Sequence, residues 1–320
     1  MPGMQTRNGK AFEYAMLLAL YNVCTEQQDV IKEESASFET AFECFSNLAD
    51  AKKNEMLEAA FCAARMFLRM EPQLLNPLEN QPLILKIQED RRGQVGDVRD
   101  VLTLRTSNDW EIGISCKHNH YAVKHSRISP TINFGEEWLG HSCSNEYFTE
   151  INPLFEEMGA LRSKHVKWSD VKAKADRFYV PVLAAFIKEL TKITSEYTDA
   201  ASNLVKYLIG RNDFYKVISD ERRRTTTIQG FNFNGTLNRA AGSIQPQMRV
   251  HNLTLPTKVY NIAMKPNSKT TLQVDCDNSW SIAMRIHSAD TYVEESLKFD
   301  VRLPGAPTHL FSTEGLWSDN

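Results

Sequence analysis

Gly96-Asp-Val-Arg-Asp-Val-Leu-Thr-Leu104, Ser107-Asn-Asp109 and Trp110-Glu-Ile-Gly-Ile-Ser-Cys-Lys117 together decide how this chain folds. The first and last are short β-branched and aromatic runs, and the Asn-Asp pair between them has turn chemistry. A third such run, Pro82-Leu-Ile-Leu-Lys-Ile87, precedes them. Three short strands joined by tight turns predict an antiparallel meander. Period-two alternation places Val98, Asp100, Leu102 and Leu104 on one face. Asp100 is thus a carboxylate on an otherwise apolar face, and a buried charge requires a hydrogen-bonding partner, a cation or a metal. On the next strand Glu111, Gly113, Ser115 and Lys117 share a face, opposite Trp110, Ile112 and Ile114.

An acid and a lysine converging at a sheet edge, with one more acid, can hold Mg²⁺ and orient a water for phosphodiester hydrolysis. A structural Asp–Lys ion pair is the simpler alternative. The residues that follow favour chemistry. Lys117-His-Asn-His-Tyr-Ala-Val-Lys-His-Ser-Arg127 gathers three His, two Lys, one Arg and an Asn without an acid. Such a loop suits phosphate contact and base-edge readout by His118, Asn119, His120, Lys124, His125 and Arg127.

Outward from this centre the organisation changes on both sides. Ala11–Ile31, Phe38–Leu48 and Lys52–Met70 repeat apolar residues at helical spacing, giving an N-terminal helical region over 1–80. Its apolar run Ala15–Tyr21, behind Arg7 and Lys10, is expected to be an ordinary helix rather than a signal sequence. Residues 81–221 read as the catalytic core with flanking helices. Tyr121–Arg127 and Glu136–Met158 are predicted helical, the second interrupted at Pro153, and Lys167–Gly210 is a long helical stretch broken at Pro181. Residues 222–320 are β-rich, with runs at 231–235, 257–262, 270–274, 280–286 and 297–302. The fold class is therefore α/β in the broad α+β sense. No apolar run reaches the ~18–20 residues that span a bilayer. Six cysteines without a Cys-x-x-Cys pair are expected to be reduced thiols of a cytoplasmic protein.

The net charge of −3 argues against a nucleic-acid partner until it is partitioned. The 53 residues from Arg222 to Val274 contain no Asp or Glu and carry +8; Ile112 to Gly135 is also acid-free and carries +3, leaving −14 for the rest. Such asymmetry points to a polyanion site. The long window opens on Arg222, Arg223 and Arg224, includes Arg239, and is rich in Asn and Gln, the side chains that read adenine while Arg reads guanine.

Gly96-Asp-Val-Arg-Asp-Val, Glu-Ile-Gly-Ile-Ser-Cys-Lys117, Ala-Val-Lys-His-Ser-Arg127 and Lys298-Phe-Asp-Val-Arg-Leu-Pro-Gly305 together resemble type II restriction endonucleases of the HaeIII family. The resemblance implies a PD-(D/E)xK nuclease core, a restriction-endonuclease-like mixed sheet flanked by helices, Mg²⁺ dependence, and double-strand cleavage at GGCC leaving blunt ends. It implies Asp100, or Asp97, as metal ligand and Lys117 as the group that polarises the attacking water. The superfamily's acid-x-Lys reads Ser-Cys-Lys here, so Ser115 stands where an acid is expected. Glu111 lies about 20 Å along the strand from Lys117, too far to replace it. In restriction enzymes with Ser-x-Lys the metal-binding Glu moves to a following helix, which implies Glu136, or Glu137. A Glu from the N-terminal helices is the other candidate.

Other readings are weaker. His118, His120, His125, His141 and Cys143 match no zinc-finger spacing. Lys164, Lys167, Lys172 and Lys174 read as a solvated helix face. No glycine-rich cofactor loop, Pro-Cys dipeptide or Walker loop is present, which excludes the methyltransferase and ATP-driven classes. The remaining alternative to an endonuclease is a non-catalytic, sequence-specific DNA-binding protein. A palindromic target would favour a homodimer.

Overall fold

Each N-terminal helix forms around an apolar stripe. In the computed structural model, which describes residues 4–76, 81–89, 97–107, 109–119 and 124–317, these are α1 (Met4–Thr25), α2 (Ala36–Ser46) and α3 (Asp50–Met70). α1 buries Phe12, Ala15, Met16, Ala19 and Leu20, and α3 buries Met56, Ala60, Ala63, Phe67 and Met70. α2 starts where the Ser35 hydroxyl accepts the Phe38 N–H at 3.2 Å, a standard N-cap.

The chain divides into two units. The first, formed by 1–121, 211–253 and 309–320, carries these helices on a seven-stranded mixed sheet. Its strands are β1 (Val30–Lys32), β2 (Leu83–Ile87), β3 (Val101–Arg105), β4 (Trp110–His118), β6 (Phe214–Asp220), β7 (Thr225–Phe231) and β12 (Phe311–Leu316), side by side in that order. β2, β3 and β4 pair antiparallel, as the meander reading requires. β4 and β6 pair parallel, Ser115 opposite Lys216 and Lys117 opposite Ile218. Ile112, Ile114, Cys116, Tyr215, Val217 and Ile228 join the helices in one core.

The second unit, 122–210 and 254–308, holds an antiparallel sheet in the order β5 (Lys124–Ile128), β11 (Leu297–Gly305), β10 (Ser281–Ser288), β9 (Thr271–Cys276) and β8 (Val259–Met264), with helices α4 (Asn145–Ser163), α5 (Val180–Glu196) and α6 (Ala200–Ile209). Residues 1–80 lie in the first unit, whereas 81–221 and 222–320 each supply strands to both. The architecture is α+β, a helix-flanked mixed sheet with helices early and strands late. No helix among the described residues is long and apolar enough to cross a membrane.

Three local expectations are corrected. Residues 124–128 form a strand, not a helix, with alternating burial; the alternation was hidden because an inward position is Lys124, whose ammonium sits 3.5 Å over the Tyr207 ring and donates to the Tyr207 carbonyl at 3.0 Å. Pro153 lies inside α4 without ending it, because the buried stripe Tyr147, Ile151, Phe155 and Met158 runs through it. Burying those four side chains outweighs the roughly 3 kcal/mol that an interior proline costs. The stretch 167–210 is not one helix broken only at Pro181: a π-helical turn, Ala175–Tyr179, runs into α5 at that proline, and a second break after Glu196 separates α5 from α6.

Candidate active site

The site grows from the point where β3 leaves the sheet. The Asp100 N–H still donates to the Ile114 carbonyl at 2.8 Å, but the residue stands just outside the strand. Its carboxylate therefore turns toward β4. Oδ2 accepts from the Cys116 N–H at 2.7 Å, the Ser115 hydroxyl at 3.3 Å and the Lys117 ammonium at 3.5 Å. All three bonds fall on one oxygen, and Oδ1 has no protein partner among the described residues. The Asp100 and Lys117 side chains are 24% and 22% exposed, open enough to be reached and closed enough to strengthen their attraction.

β6 adds a second lysine that the sequence reading missed. Lys216 is buried opposite Ser115, and parallel partners share a face, so it lies on the Lys117 side of the sheet. Burial, and then the Lys117 charge, push its ammonium down to about 7. A clue was present: Phe214-Tyr-Lys-Val-Ile-Ser219 is an apolar run with one charge, the pattern that singled out Asp100.

Glu13 is the second residue missed by number. It is a buried acid on α1, ion-paired with Lys10 at 3.0 Å. Burial raises the Cys116 thiol well above its ordinary value, and the nearby charges of Asp100 and then Glu13 add to that rise. Both charges therefore act on Cys116, and α1, which carries Glu13, packs against β4.

Asp97 has a different setting. Both its oxygens are held by Arg99, whose Nε and Nη2 donate at 2.8 Å each. Burial works to raise the Asp97 pKa, but the hydrogen bonds and charge of Arg99 outweigh it and hold the carboxyl below its usual range. Arg99 also pairs with Glu111. The Arg99 side chain crosses β4 at Gly113, where a Cβ would come within 2.0 Å of its Cδ.

Beyond Lys117, His118 is pinned rather than presented. Its Nδ1 lies 2.9 Å from the Ser219 hydroxyl and its Nε2 2.8 Å from Glu221 Oε1, which also pairs with Lys52. Burial, and then the Lys52 charge, lower its pKa to about 4, so the imidazole is neutral at pH 7. Asn119 takes a left-handed backbone (φ 53°) and its Oδ1 accepts the Glu221 N–H at 3.0 Å. His120 lies outside the described residues. Arg222 is exposed, Arg223 pairs with Glu314 at 2.9 Å, and Arg224 pairs with Glu58 at 2.5 Å. Arg239 opens onto a cleft shared with Arg99, Glu111, Asp213 and Asn234.

The remaining candidates belong to the second unit. Glu136 is exposed in a π-helical turn, Gly135–Leu139, where Asn133 Nδ2 donates to it at 3.3 Å; Glu137 is its exposed neighbour. Lys124 is buried against Tyr207, as described above, whereas His125 and Arg127 project outward from β5. Lys164, Lys167 and Lys172 are exposed and Lys174 is half-buried. His141 pairs with Asp199 at 2.7 Å, and the Cys143 sulfur accepts the Gly135 N–H. Among the described residues no three His, Cys, Asp or Glu gather to hold a metal. All six cysteines are free thiols, as expected.

Comparison with known proteins matches the chain to a family. The model of the HaeIII restriction endonuclease family matches residues 9–307. The type II restriction enzyme HaeIII of Haemophilus aegyptius is 36% identical over 320 residues, covering all of both chains. No solved structure matches. The chain therefore belongs to the HaeIII restriction endonuclease family.

Proposed function

We propose that this protein is a site-specific endonuclease that hydrolyses double-stranded DNA with Mg²⁺, at GGCC and leaving blunt ends. The target and the cut rest on family resemblance. The chemistry rests on one observation: three donors converge on Asp100 Oδ2 and leave Oδ1 for a cation.

The residues fit Mg²⁺. This ion needs only one or two carboxylates when waters and substrate phosphate complete its shell. Asp100 would hold it through Oδ1; bound there, it would neutralise phosphate charge and lower the pKa of a water. Ser115 is a poor ligand for a hard cation, but its hydroxyl helps fix the Asp100 carboxylate, a positioning task that needs no acid. The Lys117 ammonium orients the attacking water or meets the charge that develops on the pentavalent phosphorus.

The second carboxylate is Glu13 in our reading, because it is buried in the same unit and shares the field at Cys116 with Asp100. Glu136 is the other candidate and Asp97, clamped by Arg99, the third. Asn119 and the arginines of 222–224 and 239 belong to the DNA-contacting surface, with His118 held behind them, and a palindromic target favours a homodimer. Free thiols fit a reducing cytoplasm.

Incubation with plasmid, with and without Mg²⁺, tests the reading. Discrete Mg²⁺-dependent fragments whose mapped ends are blunt within GGCC are expected. A mobility shift without cleavage would instead establish the non-catalytic DNA-binding protein.

A further inference from the structure

The second unit carries a charged surface that the proposed catalytic chemistry does not use. Along β11, Phe299 and Val301 point into the core, while Lys298, Asp300 and Arg302 lie on the opposite face. Register extends that face across three strands: His125, Asp300 and Arg285 form one rank, and Arg127, Lys298 and His287 the next. Apart from Asp300, every side chain in these two ranks is cationic or a histidine.

Asp300 is unusual in its place. Its side chain is 5% exposed although it lies on the outward face, because cations cover it. Oδ2 is 3.4 Å from Arg285 Nη2 and 3.7 Å from Arg302 Nη2, and Oδ1 is 3.7 Å from His125 Nδ1. The two guanidinium side chains remain 56% and 62% exposed. Exposed ion pairs contribute little to stability, so stability alone does not account for two arginines gathered on one buried carboxylate. What the carboxylate does supply is direction: it draws the Nη2 of each guanidinium toward itself, by a hydrogen bond from Arg285 and by charge from Arg302, and leaves the rest of both side chains toward solvent.

A cationic sheet face with two exposed guanidinium forks gathered at one carboxylate fits a polyanion that offers paired acceptors. Duplex DNA offers both, phosphates for Lys298 and Arg127, and the guanine O6 and N7 pair for an arginine fork. We infer that this face of the second sheet contacts duplex DNA, with Arg285 and Arg302 reading base edges and Asp300 as their positioning residue. The inference rests on the proposal above that the substrate is duplex DNA.

The test measures binding, with Ca²⁺ in place of Mg²⁺, to a duplex containing the mapped cleavage site and to one lacking it. Arg285→Lys and Arg302→Lys keep the charge and lose the fork. Each is expected to lower affinity for the site about tenfold or more, with binding to the other duplex and the melting temperature unchanged. Asp300→Asn keeps the shape and should lower discrimination in the same direction. Unchanged discrimination in both lysine variants, or an equal loss on both duplexes, overturns base reading by this face. If wild type cleaves discretely while the variants match it, only this inference fails. If wild type neither cleaves nor shifts any duplex, the substrate reading fails with it.

Discussion

The two sheets each place one aspartate among cations, and the two arrangements differ in what they leave over. Asp100 sits where β3 leaves the sheet, a quarter exposed, with three donors on one oxygen and the other oxygen without a protein partner among the described residues. Asp300 sits mid-strand, almost fully covered, with an arginine pair on one oxygen and a histidine facing the other. The first has an acceptor free for a further ligand. The second has its acceptors directed at His125 and at two arginines whose side chains stay more than half exposed. On the two proposals above, the same residue type binds a cation in one sheet and orients cations in the other, according to its place on the strand.

The strongest way to break this comparison is at the first aspartate. Asp100→Ala and Lys117→Ala are each expected to reduce cleavage by about 10³-fold or more, while specific DNA binding, measured by mobility shift, stays largely intact. Full activity in either variant would remove the chemistry from this edge.

The second acid follows. Glu13→Gln should lower the cleavage rate by about 10²-fold, with Glu136→Gln near wild type in the same single-turnover assay. The reverse pattern would move the acid to Glu136.

A third carboxylate sharpens the contrast, because it is buried without a cation bonded to it. Glu71 accepts from Tyr215 at 2.5 Å and Asn238 at 2.6 Å, and burial raises its pKa from 4.5 to about 7. The folded state therefore holds a proton that the unfolded state releases between these two values. Stability must fall as pH rises through that window, then level off above pH 7. Glu71→Gln should remove this dependence and raise stability at pH 8 by on the order of 2–3 kcal/mol, read from denaturant unfolding at pH 5 and 8.

The smallest effect is expected at Arg222–Arg224. Two of the three already pair with Glu314 and Glu58. Replacing all three with Ala should weaken binding with a decrease in the salt slope of at most about 3. An unchanged slope would take this stretch out of the DNA interface.

The sequence made the helices and the meander legible because burial there follows clean periodicity. It hid β5, where a lysine occupies an inward position, and β6 and β12, which are short and lie far along the chain from the strands they pair with. Asp100 and Lys117 stood out as charges in apolar strands. Glu13 did not, because a glutamate in a helix near Lys10 looks like surface until the sheet covers it. Asp300 was visible only inside a motif, since Arg285 and His125 reach it from neighbouring strands that no local pattern reveals.

The parallel pairing of β4 with β6 also governs assembly during synthesis. Ile114 meets Tyr215, and farther along Gly230 meets Phe311, so the larger part of the second unit is made before β6 and the rest before β12. Closing such distant pairs is entropically slow. The sheet that carries Asp100 and Lys117 reaches its full width only once β12 has been made. The aspartate and lysine of the proposed site are thus made well before the last strand of the sheet that carries them.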